Sequence, residues 1–318
     1  MEIIVNSNRV AETSDIPQLA PMREFKIHDL SECKTSSDVA DVIDLGTYTK
    51  EPSRDCNGWS IVRDHHGEAL TMVRTKSYNL RQPIELLNDL GSLQDELGFK
   101  WSQGGLLNNG RKFFLKGEME SFEVVPGDVV NKHIMALDGY DGLTSSQIMQ
   151  GILRMLCSNG QLSYDVGAKI YSVKHTKNAQ KRIDQALEQA KGITSSFLGL
   201  QDDMQLLAQT EMSALQCEQV AQIIYPNDSK RAESTRSRIV EQFHNERLGT
   251  FGKSAWDVFN AFTAYRNHDV TYKESKNTTG KTSAENRFNA IELNSARFGK
   301  DVRAGIDSVL ALPQLTTA

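Results

Sequence analysis

At 318 residues and 39% hydrophobic content, the chain can bury one large core, or one core with a helical annex, without disulfides or metals. Its net charge of −5 excludes a protein that coats nucleic acid through bulk positive charge, while leaving local basic surfaces open. The apolar runs, such as Ile148 to Leu156 with Arg154 inside it, fall short of the roughly 20 residues that cross a bilayer, and the N-terminus shows no basic region followed by an apolar stretch. The expectation is therefore a cytoplasmic chain with no membrane partner. Cys33, Cys56, Cys157 and Cys217 are far apart and form no CxxC pair, which reads as reduced structural thiols with no metal or other cofactor.

Taken in chain order, residues 1–45 read as an acidic arm broken by Pro17 and Pro21, with a short helix near Ser36 to Ile43 capped by Ser36 or Ser37. Trp59, Ile61 and Arg63 alternate with Ser60 and Val62, and His66–Gly67 precedes Ala69 to Val73, the pattern of a β-hairpin. Pro83 opens a helix in which Ile84, Leu86, Leu87, Leu90, Leu93 and Leu97 recur at helical spacing until Gly98. Asn108, Asn109 and Gly110 form a turn, after which Arg111–Leu115 is expected to pair with Ser121–Val125 across a turn at Gly117, with Pro126–Gly127 closing the unit. Lys132 to Leu137 reads as a strand ended by the loop Asp138, Gly139, Asp141, Gly142. Ser145 to Leu156 fits strand or helix, which periodicity alone does not settle; it is read as strand, with a turn at Ser158–Asn159–Gly160 and a last strand over Lys169 to Val173. Beyond it the pattern is helical, with breaks expected at Gly192, Gly199 and Pro226, a cap at Ser229, a helix lined by Ala255, Trp256, Phe259 and Phe262, and one more helix from Ser283.

Strands first and helices later indicate an α+β fold, a mixed or antiparallel curved sheet with hairpins followed by a helical C-terminal region. The expected division is residues 1–45 as the arm, 46–175 as the α+β core and 176–318 as helices packing on it.

Candidate chemistry is sparse. Gly280–Lys281–Thr282 lies between a strand-like stretch and a helix, but Ser275 stands where a phosphate-binding loop needs glycine, so no nucleotide is expected. His65–His66 could bind a metal, yet adjacent residues on a strand point to opposite faces and no carboxylate or thiol lies at ligand spacing, so a polar turn is the simpler reading. Asp138 and Asp141 could hold Mg²⁺, although flanking glycines explain them as turn formers. The anomaly is charge. From Ala168 to Arg182 the chain carries Lys169, Lys174, Lys177, Lys181 and Arg182 with no Asp or Glu. Lys169 and Tyr171 would share a strand face, and Lys177, Lys181 and Arg182 would gather at the start of a helix, where the dipole already repels cations. Such a cluster points to an anionic ligand, unless Glu188 or the acidic arm balances it. A second group, Arg111, Lys112 and Lys116, is interleaved with Phe113 and Phe114, of which at least one belongs in the core. Arg74, Lys76, Tyr78 and Arg81 form a third group.

Several motifs resemble a phage and plasmid family, the domain-of-unknown-function family numbered 932. They are Cys157-Ser158-Asn159-Gly160, Ser172-Val173-Lys174-His175-Thr176-Lys177-Asn178, Asp138-Gly-Tyr-Asp141-Gly142, Trp59–Ile61–Arg63 with Gly67, and Gly249–Thr250 through Trp256, Asn260 and Tyr265. They span about residues 55–270. The resemblance implies a mobile-element setting, and the layout is loosely similar to phage strand-annealing proteins.

The combined expectation is a non-enzymatic protein that holds single-stranded DNA for annealing in phage or plasmid recombination. Lys169, Lys174, His175, Lys177, Lys181 and Arg182 would contact phosphates, Tyr171 would stack on bases, and Arg111, Lys112 and Lys116 would form the opposite wall. Homo-oligomers, as rings or filaments, would display the strand. The alternatives are a protein-interaction factor such as a host-defence inhibitor, and a metal-dependent nuclease using Asp138 and Asp141 with His133 or His175.

Overall fold

Turn chemistry and apolar periodicity divide the chain much as the sequence predicts, and packing decides where they do not. A computed structural model describes residues 25–52, 59–74, 78–154, 159–162, 169–190, 193–245, 253–273, 282–293 and 295–312. Most of the acidic arm, Cys56, Cys157, the Ser158 of the expected turn, Gly249–Thr250 and Gly280–Lys281 lie outside these residues.

The short strand β1 (His28–Asp29) precedes helix α1 (Ser36–Val42). Thr35 rather than a serine caps α1: its side chain accepts from the Asp38 amide, and the Asp38 carboxylate accepts from Thr35 in return. β2 (Thr49–Pro52), β3 (Trp59–Arg63) and β4 (Ala69–Arg74) form an antiparallel three-stranded sheet, so the expected hairpin has a further strand on its edge. Next come α2 (Pro83–Ser92), with Pro83 in its first turn, and α3 (Gln94–Leu97), which ends at left-handed Gly98.

The larger sheet contains β1 with β5 (Lys100–Leu107), β6 (Lys112–Glu123), β7 (Val129–Gly139), β8 (Ser146–Arg154), β9 (Asn159–Leu162) and β10 (Lys169–Val173). Its order is β1-β5-β6-β7-β8-β10, with β9 also pairing β8, and every ladder is antiparallel. Asn108, Asn109 and Gly110 all take positive φ and reverse the chain between β5 and β6. At Gly117 the expected turn is absent: β6 runs straight through it and pairs on both sides, with β5 and β7. A Cβ there would meet the Phe99 ring at 2.3 Å, so the glycine admits an aromatic ring instead of reversing the chain. The Asn159–Gly160 part of the expected turn opens β9.

The helical half consists of α4 (Ala179–Ala190), α5 (Ile193–Gln209), α6 (Ala214–Ile224), α7 (Lys230–Phe243), α8 (Ala255–Ala264), α9 (Ser283–Phe288) and α10 (Ser295–Leu310). Gly199 lies inside α5 and does not break it, whereas Pro226 follows the end of α6 and Ser229 caps α7 as expected. The single helix expected from Ser283 is two, and π-helical turns extend α8 (Tyr265–Asp269) and α9 (Asn289–Leu293). No described helix is long and apolar enough to cross a membrane.

One main apolar core runs from Leu30 to Val309 and includes Phe113, Leu115, Ile134 and Ala136 from the sheet with every aromatic of α8. Phe114, Met135, Leu137 and Met149 project from the opposite sheet face and are covered by Phe288 of α9. Both Phe113 and Phe114 are therefore fully buried, one on each side of the sheet. Trp256 Nε1 donates to Asp128 Oδ2 at 2.8 Å, fastening α8 to the β6–β7 turn.

Candidate nucleic-acid interface

The strand order places the C-terminal ends of β7 and β10 on either side of the start of β8. This brings together two segments far apart in sequence, Asp138–Gly142 and Val173–Thr176. Ser146 Oγ donates to Asp138 Oδ2 at 2.9 Å, the Gly139 amide donates to Asp138 Oδ1 at 2.8 Å, and His175 Nε2 meets the same Oδ1 at 2.7 Å. The Asp138 and His175 side chains are 0% and 2% exposed. Tyr78 stacks on the His175 ring with centroids 5.1 Å apart, and the His175 carbonyl accepts from the Asn79 amide. A cleft of about 470 Å³ opens beside them, lined by Val73, Tyr78, Asp141, Lys174, His175 and Thr176 among others. Burial first, then the charges of Asp138 and Asp141, raises the Tyr78 phenol above its ordinary range, so it stays protonated.

Asp141 is equally committed. It accepts from the amides of Leu143 and Thr144 and from the Thr144 hydroxyl, and lies 3.3 Å from Lys112 Nζ. Burial pushes its carboxyl up, but these bonds and Lys112 outweigh it and leave the group below the usual carboxylate range.

The two acids do not form a three-ligand group with a histidine among the described residues. His133 faces the other side of the sheet from Asp138, as an odd offset of five residues along β7 requires. Burial first and Lys116 second hold the His133 ring well below its usual pKa. This geometry gives the nuclease reading no support.

The expected basic groove is only partly assembled. Lys174, Lys177, Lys181 and Arg182 are all exposed where β10 hands over to α4, and none makes an ion pair with a described residue. Glu188, the expected counter-charge, is exposed one turn or more beyond them. His175 departs from expectation: it is buried against Asp138 instead of being presented to solvent. Lys169 and Tyr171 lie on β10, and their side chains fall outside the described residues. A register shift between them, Lys169 opposite Met149 and Tyr171 opposite Ile148, interrupts the alternation on which a shared face depends.

The opposite wall is not present as expected. Lys116 is 4% exposed and points to the second face of the sheet, Lys112 is paired with Asp141, and Arg111 Nε donates to the Leu70 carbonyl at 2.7 Å. β6 also stands three places from β10, roughly 14 Å across the ladder. In the third basic group, Arg81 is buried and ion-paired with Asp89. Nothing in the sequence marks Ser146 as a partner of Asp138 or Tyr78 as a partner of His175, since neither has a periodicity or spacing that could reveal it.

A family model described as Domain of unknown function (DUF932) matches residues 71–291. The span starts after the hairpin motif Trp59–Gly67 and extends past residue 270, so it is displaced from the expected 55–270. No curated protein and no solved structure matches.

Proposed function

We propose that this chain, which belongs to the DUF932 family, binds single-stranded DNA without catalysing a reaction and promotes annealing in phage or plasmid recombination. The observation that carries the reading is the corner between β10 and α4. Four cations, Lys174, Lys177, Lys181 and Arg182, stand exposed there without an ion-pair partner among the described residues, in a chain of net charge −5. Lys177, Lys181 and Arg182 lie at or before the first turn of α4, where unpaired amide hydrogens favour an anion and disfavour these cations unless a ligand neutralises them. Phosphates of a flexible strand can follow such a strip without base-specific contacts, and Lys174 on the cleft rim joins it to the His175 cavity.

Anisotropy of a labelled oligonucleotide tests this. For four neutralised phosphates the slope of log affinity against log salt is expected to be about −3, at roughly −0.7 per phosphate for single strands. Lys174→Glu, Lys177→Glu and Lys181→Glu combined should remove binding with little change in thermal stability, since all three side chains are exposed. Undiminished, salt-dependent binding by the folded triple variant would reject this corner. Absence of any binding by the parent chain would reject the function.

A further inference from the structure

We infer that Asp44, His65 and His66 form a binding site for one divalent transition ion of the zinc type. In sequence His65 and His66 are adjacent and have no carboxylate at ligand spacing, yet the fold turns both rings to one side with centroids 4.0 Å apart. They can share a side because they occupy the turn after β3 rather than the strand itself. His65 Nε2 lies 3.0 Å from Asp44 Oδ1, and His66 Nε2 lies 3.3 Å from Asp44 Oδ2. Among the described residues this is the group of three whose ligand atoms all fall within 4.8 Å of one another. Donors about 2.1 Å from a tetrahedral ion stand roughly 3.4 Å apart, so these spacings need little adjustment to accept one. Two imidazoles and a carboxylate suit zinc, cobalt, nickel or copper far better than magnesium or calcium, which take oxygen. Three protein ligands leave a fourth position for water.

The backbone around the site is arranged for this approach. The Asp64 carboxylate accepts from the amides of His66 and Glu68, and the Gly67 amide donates to the Asp64 carbonyl, which sets the turn. Asp44 takes φ 58° just past α1, with the Leu45 amide closing onto the Ala40 carbonyl. A Cβ on Gly46 would meet the His65 ring at 2.3 Å, so glycine lets that ring lie over the chain beside Asp44. All three side chains remain accessible, between 25% and 56% exposed, so an ion can enter without unfolding. Bound metal would tie the β3–β4 hairpin to the end of α1. Because neutral imidazoles are the ligands, protons compete with the ion and binding would weaken in acid.

Calorimetric titration of the chelator-treated full chain with zinc chloride tests the site, with Co²⁺ as an optical probe. One equivalent should bind and raise the thermal midpoint, and cobalt should show the intense visible bands of tetrahedral coordination. His65→Ala combined with His66→Ala should lose that equivalent. Gly46→Ala, which keeps all three ligands but displaces His65, should weaken it. An unchanged equivalent in the double histidine variant would place the ion elsewhere, at the cysteines for instance, and overturn the assignment. So would a parent chain that binds neither ion.

Discussion

His133 shows what a single buried side chain does to the molecule. It sits on β7 within the sheet, 1% exposed, and neither ring nitrogen has a hydrogen-bond partner among the described residues. Its folded pKa is pushed well below 6.5 by burial, then by Lys116. The unfolded chain therefore takes up a proton near pH 6.5 while the folded chain does not, and stability is lost as pH falls below that value, by up to about 1.4 kcal/mol per pH unit. Denaturant midpoints measured from pH 7.5 to 5.5 should decline, and His133→Leu should flatten that decline. Asp141 works in a lower window: its folded pKa lies below 3.8, so its contribution is present above 3.8 and disappears as pH falls further. The Asp138–His175 pair offers a second residue-level test. Asp138→Ala removes the acceptor for His175, Ser146 and Gly139 at once and is expected to cost about 1–3 kcal/mol in equilibrium unfolding for each donor left buried and unpaired.

At the scale of elements, two glycines that look alike in sequence behave differently. Gly117 lies in mid-strand with the Phe99 ring where a Cβ would be, so Gly117→Ala should destabilise by roughly 1–3 kcal/mol through overpacking. Gly199 lies inside α5 with nothing among the described residues within 4 Å of where a Cβ would stand, and Gly199→Ala should stabilise by about 0.5–1 kcal/mol. Thermal melts of the two variants should move in opposite directions. The preference of glycine for turns predicts a break at both, and a strand Gly facing a ring gives no different local signal. The hairpin of β3 and β4, α2 with its proline start, and the cap of α7 are legible in the sequence because turn, proline and serine preferences act within a few residues. β2, β5 and β9 are not: each owes its place to a partner strand, and β2 is only four residues long.

For the whole molecule, the question is how an acidic chain distributes its positive charge. The excess in 168–182 is visible as composition, and the structure leaves Lys174, Lys177, Lys181 and Arg182 in solvent, whereas the cations of β6 are drawn into internal contacts. Reversing Lys112 should therefore perturb the Asp141 loop more than ligand binding. Lys112→Glu replaces the ammonium group 3.3 Å from Asp141 with a like charge, and it should lower the thermal midpoint while leaving the oligonucleotide affinity proposed for the β10–α4 corner within about threefold of the parent.

Local preference and period settled the α+β class, most element positions and the run of cations, because these depend on neighbours in the chain. Tertiary structure alone decided that His175 is buried against an aspartate 37 residues away, that the β6 cations turn inward, and that Asp44 reaches two histidines across a hairpin. The first two depend on strand order and on which neighbours cover each sheet face, and the third on a turn packing against the end of α1; none of these is encoded in spacing along the chain.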